Sequence, residues 1–163
     1  MRDLSRYFNN DRWKRGFNNQ IHSRGHLLLQ HKDKQLAKEC AKKIGLRLKG
    51  FQANDKLELF FDVYKGEDNI CYLSKGWGDP GFRIGEYIEI DKDISNFKNR
   101  FYRILNTCSK NLISVGASEP EPGKIGISLE IGLYQQGFNE EVLKEAIDSL
   151  EDSLQGIRII LES

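Results

Sequence analysis

The most constraining feature of this sequence is the segment 124–134, KIGISLEIGLY, in which aliphatic residues alternate with small or polar ones. Successive side chains of a β-strand point to opposite faces of a sheet, so this period of two predicts a strand with one apolar face. The aliphatic set comprises Ile125, Ile127, Leu129, Ile131 and Leu133. Such a face requires cover, and we expect a sheet with helices packed on one side.

Five further segments are predicted strands, and they lie at residues 46–49, 57–64, 70–73, 82–90 and 113–118. Turn-prone residues separate 57–64 from 70–73 and 70–73 from 82–90, which predicts sequential antiparallel pairing. A Pro-Glu-Pro-Gly turn joins 113–118 to 124–134. These last two strands are therefore predicted to form a hairpin.

Two amphipathic segments in the first two thirds of the chain are predicted helices. The first covers residues 33–44, with Asp33 as its N-cap and Gly45 at its end. The second covers residues 93–109, which carry an apolar stripe at helical spacing. Its alternative caps are Asp91, Asp93 and Ser95.

A third helix is predicted over residues 139–155. Asn139 is its expected cap, and two glutamates follow in the first turn, where carboxylates favour the positive end of the helix dipole. Gly156 is expected to end it. Residues 157–161 are then left as an apolar tail, which we interpret as either a final strand or a contact surface.

These elements predict an α+β fold with an antiparallel sheet, helices packed on one face, and the order α-β-β-β-β-α-β-β-α. Residues 33–163 are expected to form this single domain. Residues 1–32 are predicted to form an irregular basic N-terminal arm. The charge is split accordingly, because residues 1–50 hold 13 Lys and Arg against 4 Asp and Glu, and residues 51–163 hold 12 against 20.

The composition is that of a globular protein, and no apolar run approaches the length of a membrane span. We expect a cytoplasmic protein that has no membrane partner. The three cysteines, Cys40, Cys71 and Cys108, are widely spaced and form no CxxC motif. They predict neither a disulfide framework nor a zinc site, and we expect them to be buried as small apolar residues.

Basic and aromatic residues are interleaved in the arm, most densely at Arg12, Trp13, Lys14 and Arg15. Such a patch is able to hold a nucleic acid, because cations meet phosphates while aromatic rings stack on bases. Alternatively, the arm packs on the acidic body or on a partner subunit, with its arginines paired to carboxylates. The sequence favours this second interpretation, since the chain as a whole is not basic.

The segment 76–81, GWGDPG, matches the GxGxxG pattern of dinucleotide sites. In those sites the glycines open a helix that receives a pyrophosphate, whereas here the following segment is a predicted strand. Asp79 would repel a phosphate, and Pro80 lacks an amide donor. We therefore predict a hairpin loop, in which Trp77 is a candidate binding anchor.

No catalytic group, metal site or cofactor is predicted. His22 and His26 would share one face of a helix, but HExxH is absent and no carboxylate lies nearby to complete a zinc site. Asp91 and Asp93 resemble a DxD pair, which capping explains more simply. The histidines lie in the arm, so no cysteine or serine of the body has an evident base beside it.

The order of elements over residues 33–155 resembles the type III secretion chaperone-like fold, including the YbjN-type bacterial proteins. That resemblance implies a sheet with helices against it, dimerisation and a protein-binding role. It is a likeness of topology, and the arm and the strand at 46–49 depart from the pattern. We expect a non-catalytic, chaperone-like module that binds itself as a homodimer or another protein. The alternatives are a nucleic-acid-binding protein and an enzyme with an unrecognised site.

Overall fold

The computed structural model describes residues 24–51, 58–76 and 78–163, and within them it has the predicted α+β fold. The elements are α1 (Arg24–Lys43), β1 (Arg47–Phe51), β2 (Glu58–Lys65), β3 (Asp68–Gly76), β4 (Gly81–Asp91), α2 (Phe97–Lys110), β5 (Ser114–Ser118), β6 (Lys124–Tyr134) and α3 (Glu140–Glu162). Their order, α-β-β-β-β-α-β-β-α, is the predicted one.

The six strands form one sheet in the order β1-β2-β3-β4-β6-β5, and every neighbouring pair is antiparallel. The strands β2, β3 and β4 pair in sequence, as expected, and β1 adds to the edge of β2. β6 then pairs with β4 along its whole length, from Tyr134 opposite Gly81 to Lys124 opposite Asp91. This insertion leaves the short β5 at one edge of the sheet, and β1 is the other edge.

The three helices that the structure describes pack on the same face of the sheet, which we call the covered face. The alternation in β6 places Ile127 and Leu129 there, and both are fully buried. Phe61 of β2 and Ile84 of β4 join the same core cluster, together with Leu150 of α3. A face of this kind stabilises the fold because each large apolar side chain taken out of water contributes about 1.5–3 kcal/mol.

The last helix differs from the prediction, because it continues through Gly156 to Glu162. Ile157 and Ile160, which the sequence assigned to an apolar tail, lie in the core with 1% and 6% of their surface exposed. Glycine inside a helix costs about 1 kcal/mol relative to alanine, which the burial of two isoleucines exceeds. The tail is therefore the last turns of α3 and not a separate strand. Ile159 between them remains 59% exposed.

The first helix begins at Arg24, so Asp33 lies inside it and is not its N-cap. Residues 24–32, which the sequence analysis assigned to the arm, are thus helical. Asp33 is 8% exposed, and its carboxylate accepts hydrogen bonds from Lys75 Nζ at 2.6 Å and Gln135 Nε2 at 2.8 Å. The carboxylate therefore fastens α1 to the ends of β3 and β6 instead of binding free amides of its own helix.

The second helix also starts later than predicted. β4 extends to Asp91, and Asn96 is the N-cap residue, with a left-handed backbone and no side-chain cap hydrogen bond. None of the expected caps, Asp91, Asp93 and Ser95, holds that position. Ser95 instead accepts hydrogen bonds from Arg100, at its carbonyl oxygen at 2.8 Å and at its hydroxyl at 3.3 Å.

Several local predictions are confirmed. The side chain of Asn139 caps α3 by accepting a hydrogen bond from the Val142 amide at 2.9 Å. The three cysteines are free and buried. Residues 76–81 connect β3 to β4 as a hairpin, although Trp77 lies outside the described residues. Among the helices that the structure describes, none combines the length and the apolarity needed to cross a membrane.

Candidate functional site

The face of the sheet opposite the helices, which we call the uncovered face, carries the other half of each strand's side chains. Its residues follow from the register, since those directly opposite each other on paired strands share a face. Tyr72 lies opposite Gly85, Arg83 opposite Gly132, and Glu130 opposite Ser114. Charged, aromatic, serine and glycine residues thus replace the aliphatic residues of the covered face.

The uncovered face has two unequal parts. Over β2 and β3 it is closed, because Phe60 keeps 4% of its surface and Ser74 keeps 3%. The Phe60 ring stacks on Tyr72 with 5.2 Å between centroids. Over β5 and β6 the face is open, and its exposed residues are Ser114, Gly116, Ser118, Gly132 and Tyr134. A partner therefore has access to the β5–β6 part.

A charged group, which we call the Arg83 cluster, lies between these two parts. It consists of Arg83 with Glu58, Asp79 and Glu130. Arg83 Nη2 donates to Asp79 Oδ2 at 3.1 Å and to Glu58 Oε1 at 3.5 Å, and Arg83 Nη1 lies 4.0 Å from Glu130 Oε2. One guanidinium is thus shared by three carboxylates, and the cluster keeps an excess of negative charge.

Tyr72 links this cluster to the aromatic part of the face. Its hydroxyl donates to Glu130 Oε1 at 2.7 Å, and its ring lies over Gly85 so closely that a Cβ there would meet Tyr72 Oη at 2.5 Å. Burial raises the pKa of Tyr72, and the charge and hydrogen bond of Glu130 raise it further. Tyr72 therefore acts as a fixed donor that orients Glu130.

Glu58 has an unusual environment for a surface strand residue, because its side chain is 13% exposed. Burial raises the pKa of Glu58, and the positive charge of Arg83 opposes part of that rise. The two effects have opposite sign, since burial disfavours the carboxylate while a neighbouring cation favours it. An additional cation near the cluster would favour ionised Glu58 further.

A cavity of about 300 Å³, which we call the β4–β6 hollow, adjoins the Arg83 cluster at the end of β4 and β6. Gly132 leaves it open, because the position of a Cβ on this residue has no other atom within 4 Å. The hollow is bounded by Asp79, Arg83 and the exposed ring of Tyr134. It is thus a small recess with carboxylate, guanidinium and aromatic groups at its rim.

A larger cavity of about 680 Å³ lies at the opposite edge of the sheet, beside β1. There the Arg47 guanidinium lies 5.2 Å from the centre of the Tyr64 ring and donates to the Gly66 carbonyl at 3.5 Å. The guanidinium of Arg47 at this cavity is therefore already bound by groups of the chain itself. The β4–β6 hollow is the better candidate, because a side-chain cluster converges on it.

The binding residues predicted from the sequence stay predictions, because the structure does not describe them. Arg12, Trp13, Lys14 and Arg15 lie outside the described residues, as does Trp77. The described residues hold no group of three or more His, Cys, Asp or Glu side chains arranged to bind a metal ion.

The residues that form the site were not singled out by the sequence analysis. Glu130, Gly132 and Tyr134 occupy the polar positions of the alternation in β6, which is a readable signal for one exposed face. Glu58 and Arg83 belong to β2 and β4. Their approach to Glu130 depends on the pairing of β6 with β4, which the alternation by itself does not specify.

Comparison with known proteins gives one informative likeness. No protein-family model matches the chain, and neither does any curated protein. The fold is similar to the crystal structure of an uncharacterized protein from Methanothermobacter thermautotrophicus, with a TM-score of 0.63 and 13% sequence identity. The match covers 80% of this chain and 97% of that one. At this identity the likeness shows a shared fold alone.

Proposed function

We propose that this chain is a non-catalytic module that binds another protein through the β5–β6 part of the uncovered face. The observation that carries the proposal is the one-sided packing of the fold. The three helices of the described residues lie on one face, and the other face ends in an accessible strip beside the β4–β6 hollow.

The side chains of this strip suit a protein partner. On β5 the residues of this face are Ser114, Gly116 and Ser118, whose small side chains leave the backbone close to the surface, so that a partner chain is able to approach it. Tyr134 is 73% exposed at one end of the strip. Tyrosine is enriched among residues that dominate binding energy, because it offers a large rigid surface with a polar tip.

Photo-crosslinking tests this proposal. A photoreactive phenylalanine analogue replaces Tyr134 in one variant and the exposed Glu145 of α3 in a matched control. In the cells from which the gene comes, we expect a specific protein adduct with the first variant only. The purified partner should then bind wild type about tenfold more tightly than Tyr134→Ala. Equal adducts at both positions, or none at Tyr134, would contradict the proposal.

Self-association as a homodimer remains a prediction, but one of the observations behind it has changed. The apolar tail at residues 157–161 was a predicted contact surface, but Ile157 and Ile160 of that tail are in the chain's own core. A second copy is therefore one outcome of the crosslinking test, recognised as an adduct of twice the chain mass. Light scattering of the purified chain at tens of micromolar, beside Tyr134→Ala, shows whether this face mediates a dimer.

Nucleic-acid binding is the competing class, and it depends on residues outside the described part of the chain. If Arg12, Lys14 and Arg15 contact phosphates, log affinity for duplex DNA should fall with log salt by about 0.9 per contact. Changing all three to alanine should then reduce that slope by about three units. We expect no binding at physiological salt, and a measurable slope that the triple variant abolishes would replace our proposal.

A further inference from the structure

The uncovered face between β2 and β5 is negatively charged. Its charged residues in the described part of the chain are six carboxylates and two cations, namely Glu58, Asp62, Asp79, Glu89, Asp91 and Glu130 with Arg83 and Lys124. Lys124 is held at the far end, where Glu121 Oε1 lies 2.8 Å from its ammonium group. Asp62 also has a cation nearby, because Lys49 lies opposite it on β1 and its charge favours the carboxylate. Among the described residues near the β4–β6 hollow, the three carboxylates Glu58, Asp79 and Glu130 thus outnumber the one cation, Arg83.

Gly132 and Tyr134 of β6 line the hollow, and Glu130 lies beside it on the same side of the strand, next to Arg83. Glu130, Gly132 and Tyr134 alternate with core residues, so Glu130 and Tyr134 are separated by about 14 Å along the strand. Gly132 lies between them with open space above its backbone. The gap has a carboxylate at one end and an exposed aromatic ring at the other.

This arrangement suits a long cationic side chain in its chemistry. A lysine or arginine that enters over Gly132 would meet Glu130 and Asp79 through charge-assisted hydrogen bonds. Its aliphatic stem or its charged group would contact the Tyr134 ring, which attracts cations through its quadrupole. An anionic group is disfavoured there, because Arg83 is already shared among three carboxylates.

We propose that the β4–β6 hollow receives a lysine or arginine side chain from an extended, basic segment of the partner protein. The inference rests on the proposed function and adds the chemistry of the partner. The excess of carboxylates on this face supports a basic segment. An extended conformation fits because the exposed residues of β5 on this face, Ser114, Gly116 and Ser118, have small side chains or none.

A peptide titration tests this assignment with the full chain. The probe is a fluorescent synthetic peptide that alternates lysine and threonine, and the control peptide carries glutamate in place of lysine. Fluorescence anisotropy at low and at physiological salt should show binding of the lysine peptide only, weakened by salt. No binding of the lysine peptide, or tighter binding of the glutamate peptide, would overturn the proposal.

Gly132→Val is the decisive variant, because it fills the hollow without removing any charge. Gly132 does not have a positive φ, so valine is compatible with the backbone. We expect an unchanged melting temperature and binding about tenfold weaker, which corresponds to ~1.4 kcal/mol. The matched control is Ala117→Val on the edge strand, whose side chain belongs to the opposite side of β5. Equal losses in both variants would overturn the assignment.

Two further outcomes separate the partner from other occupants. One outcome is that the peptide binds only the triple variant in which Arg12, Lys14 and Arg15 are all changed to alanine. This chain's own N-terminal residues then occupy the hollow, and the assignment to a partner is wrong. If the Tyr134 crosslink forms while Gly132→Val binds the peptide as wild type does, the hollow is not the cation subsite, and the partner-binding function stands. Absence of the crosslink contradicts the function itself.

Discussion

Two neighbouring residues of β2 show the difference between the two faces of the sheet. Phe61 points to the covered face, where it joins the single core cluster, and Asp62 points to the uncovered face, where it lies opposite Tyr72. The covered face is largely apolar and closed by helices, and the uncovered face carries charges, tyrosines and glycines. We infer that the first face determines stability and the second is available for binding.

The largest expected effect is on the covered face. Phe61→Ala removes a ring that is 2% exposed and should cost about 3–5 kcal/mol of unfolding free energy, because a cavity remains where the ring was. Tyr134→Ala is the matched change on the other face, where surface substitutions usually alter stability by about 0.5 kcal/mol or less. Urea unfolding measures both. Similar losses for the two variants would break the comparison.

Loss of the ionic contact between Asp33 of α1 and Lys75 of β3 should have the next largest effect on the free energy of unfolding. Asp33→Ala leaves Lys75 and Gln135 without their shared acceptor, and hydrogen bonds to charged groups contribute about 1.5–3 kcal/mol. Lys75→Met and the double variant complete a cycle that isolates the pair. We expect the double variant to be more stable than the sum of the single losses implies, and strict additivity would show that the contact contributes nothing.

A smaller effect is expected where α3 begins. Asn139→Ala removes the acceptor for the Val142 amide and should cost about 1 kcal/mol. Asn139→Asp keeps an acceptor at this position and is the control. Thermal unfolding at neutral pH should therefore rank the wild type and the aspartate variant above the alanine variant. Equal melting temperatures for all three would show that the helix does not depend on its cap.

The smallest effect, and the one specific to the uncovered face, depends on pH. Burial raises the folded-state pKa of Glu58, against the opposing effect of Arg83, so the folded chain holds this proton more tightly than the unfolded chain does. The resulting stabilisation is present below the unfolded pKa and is lost as pH rises through the folded one. Glu58→Gln should therefore gain stability relative to wild type between acidic and neutral pH, measured by melting curves.

For this variant the direction of the change is the critical result. If Glu58→Gln loses stability relative to wild type as pH rises, the pairing of Glu58 with Arg83 outweighs its burial. The uncovered face would then contribute to folding through its charges, and the contrast with the covered face would be weaker than we infer.

The strands were predictable because alternation is a local property. Residues 124–134 form β6 with the predicted bounds, and hairpin pairing of β6 with β5 follows from the turn between them. Helix ends were less predictable, since they depend on distant contacts. Gly156 stays helical because Ile157 and Ile160 reach the core, and Asp33 lies inside a helix because Lys75 and Gln135 bind its carboxylate.

The sequence alone determined the class of fold, because periods of two and of 3.6 residues require a sheet and amphipathic helices whatever their final arrangement. It also determined which side of β6 is polar. Only the tertiary structure decided that β6 lies between β4 and β5, and this placement brings Glu130 to Arg83 and opens the hollow at Gly132. The reason is physical: alternation specifies the face on which a side chain lies, and strand order specifies its neighbours.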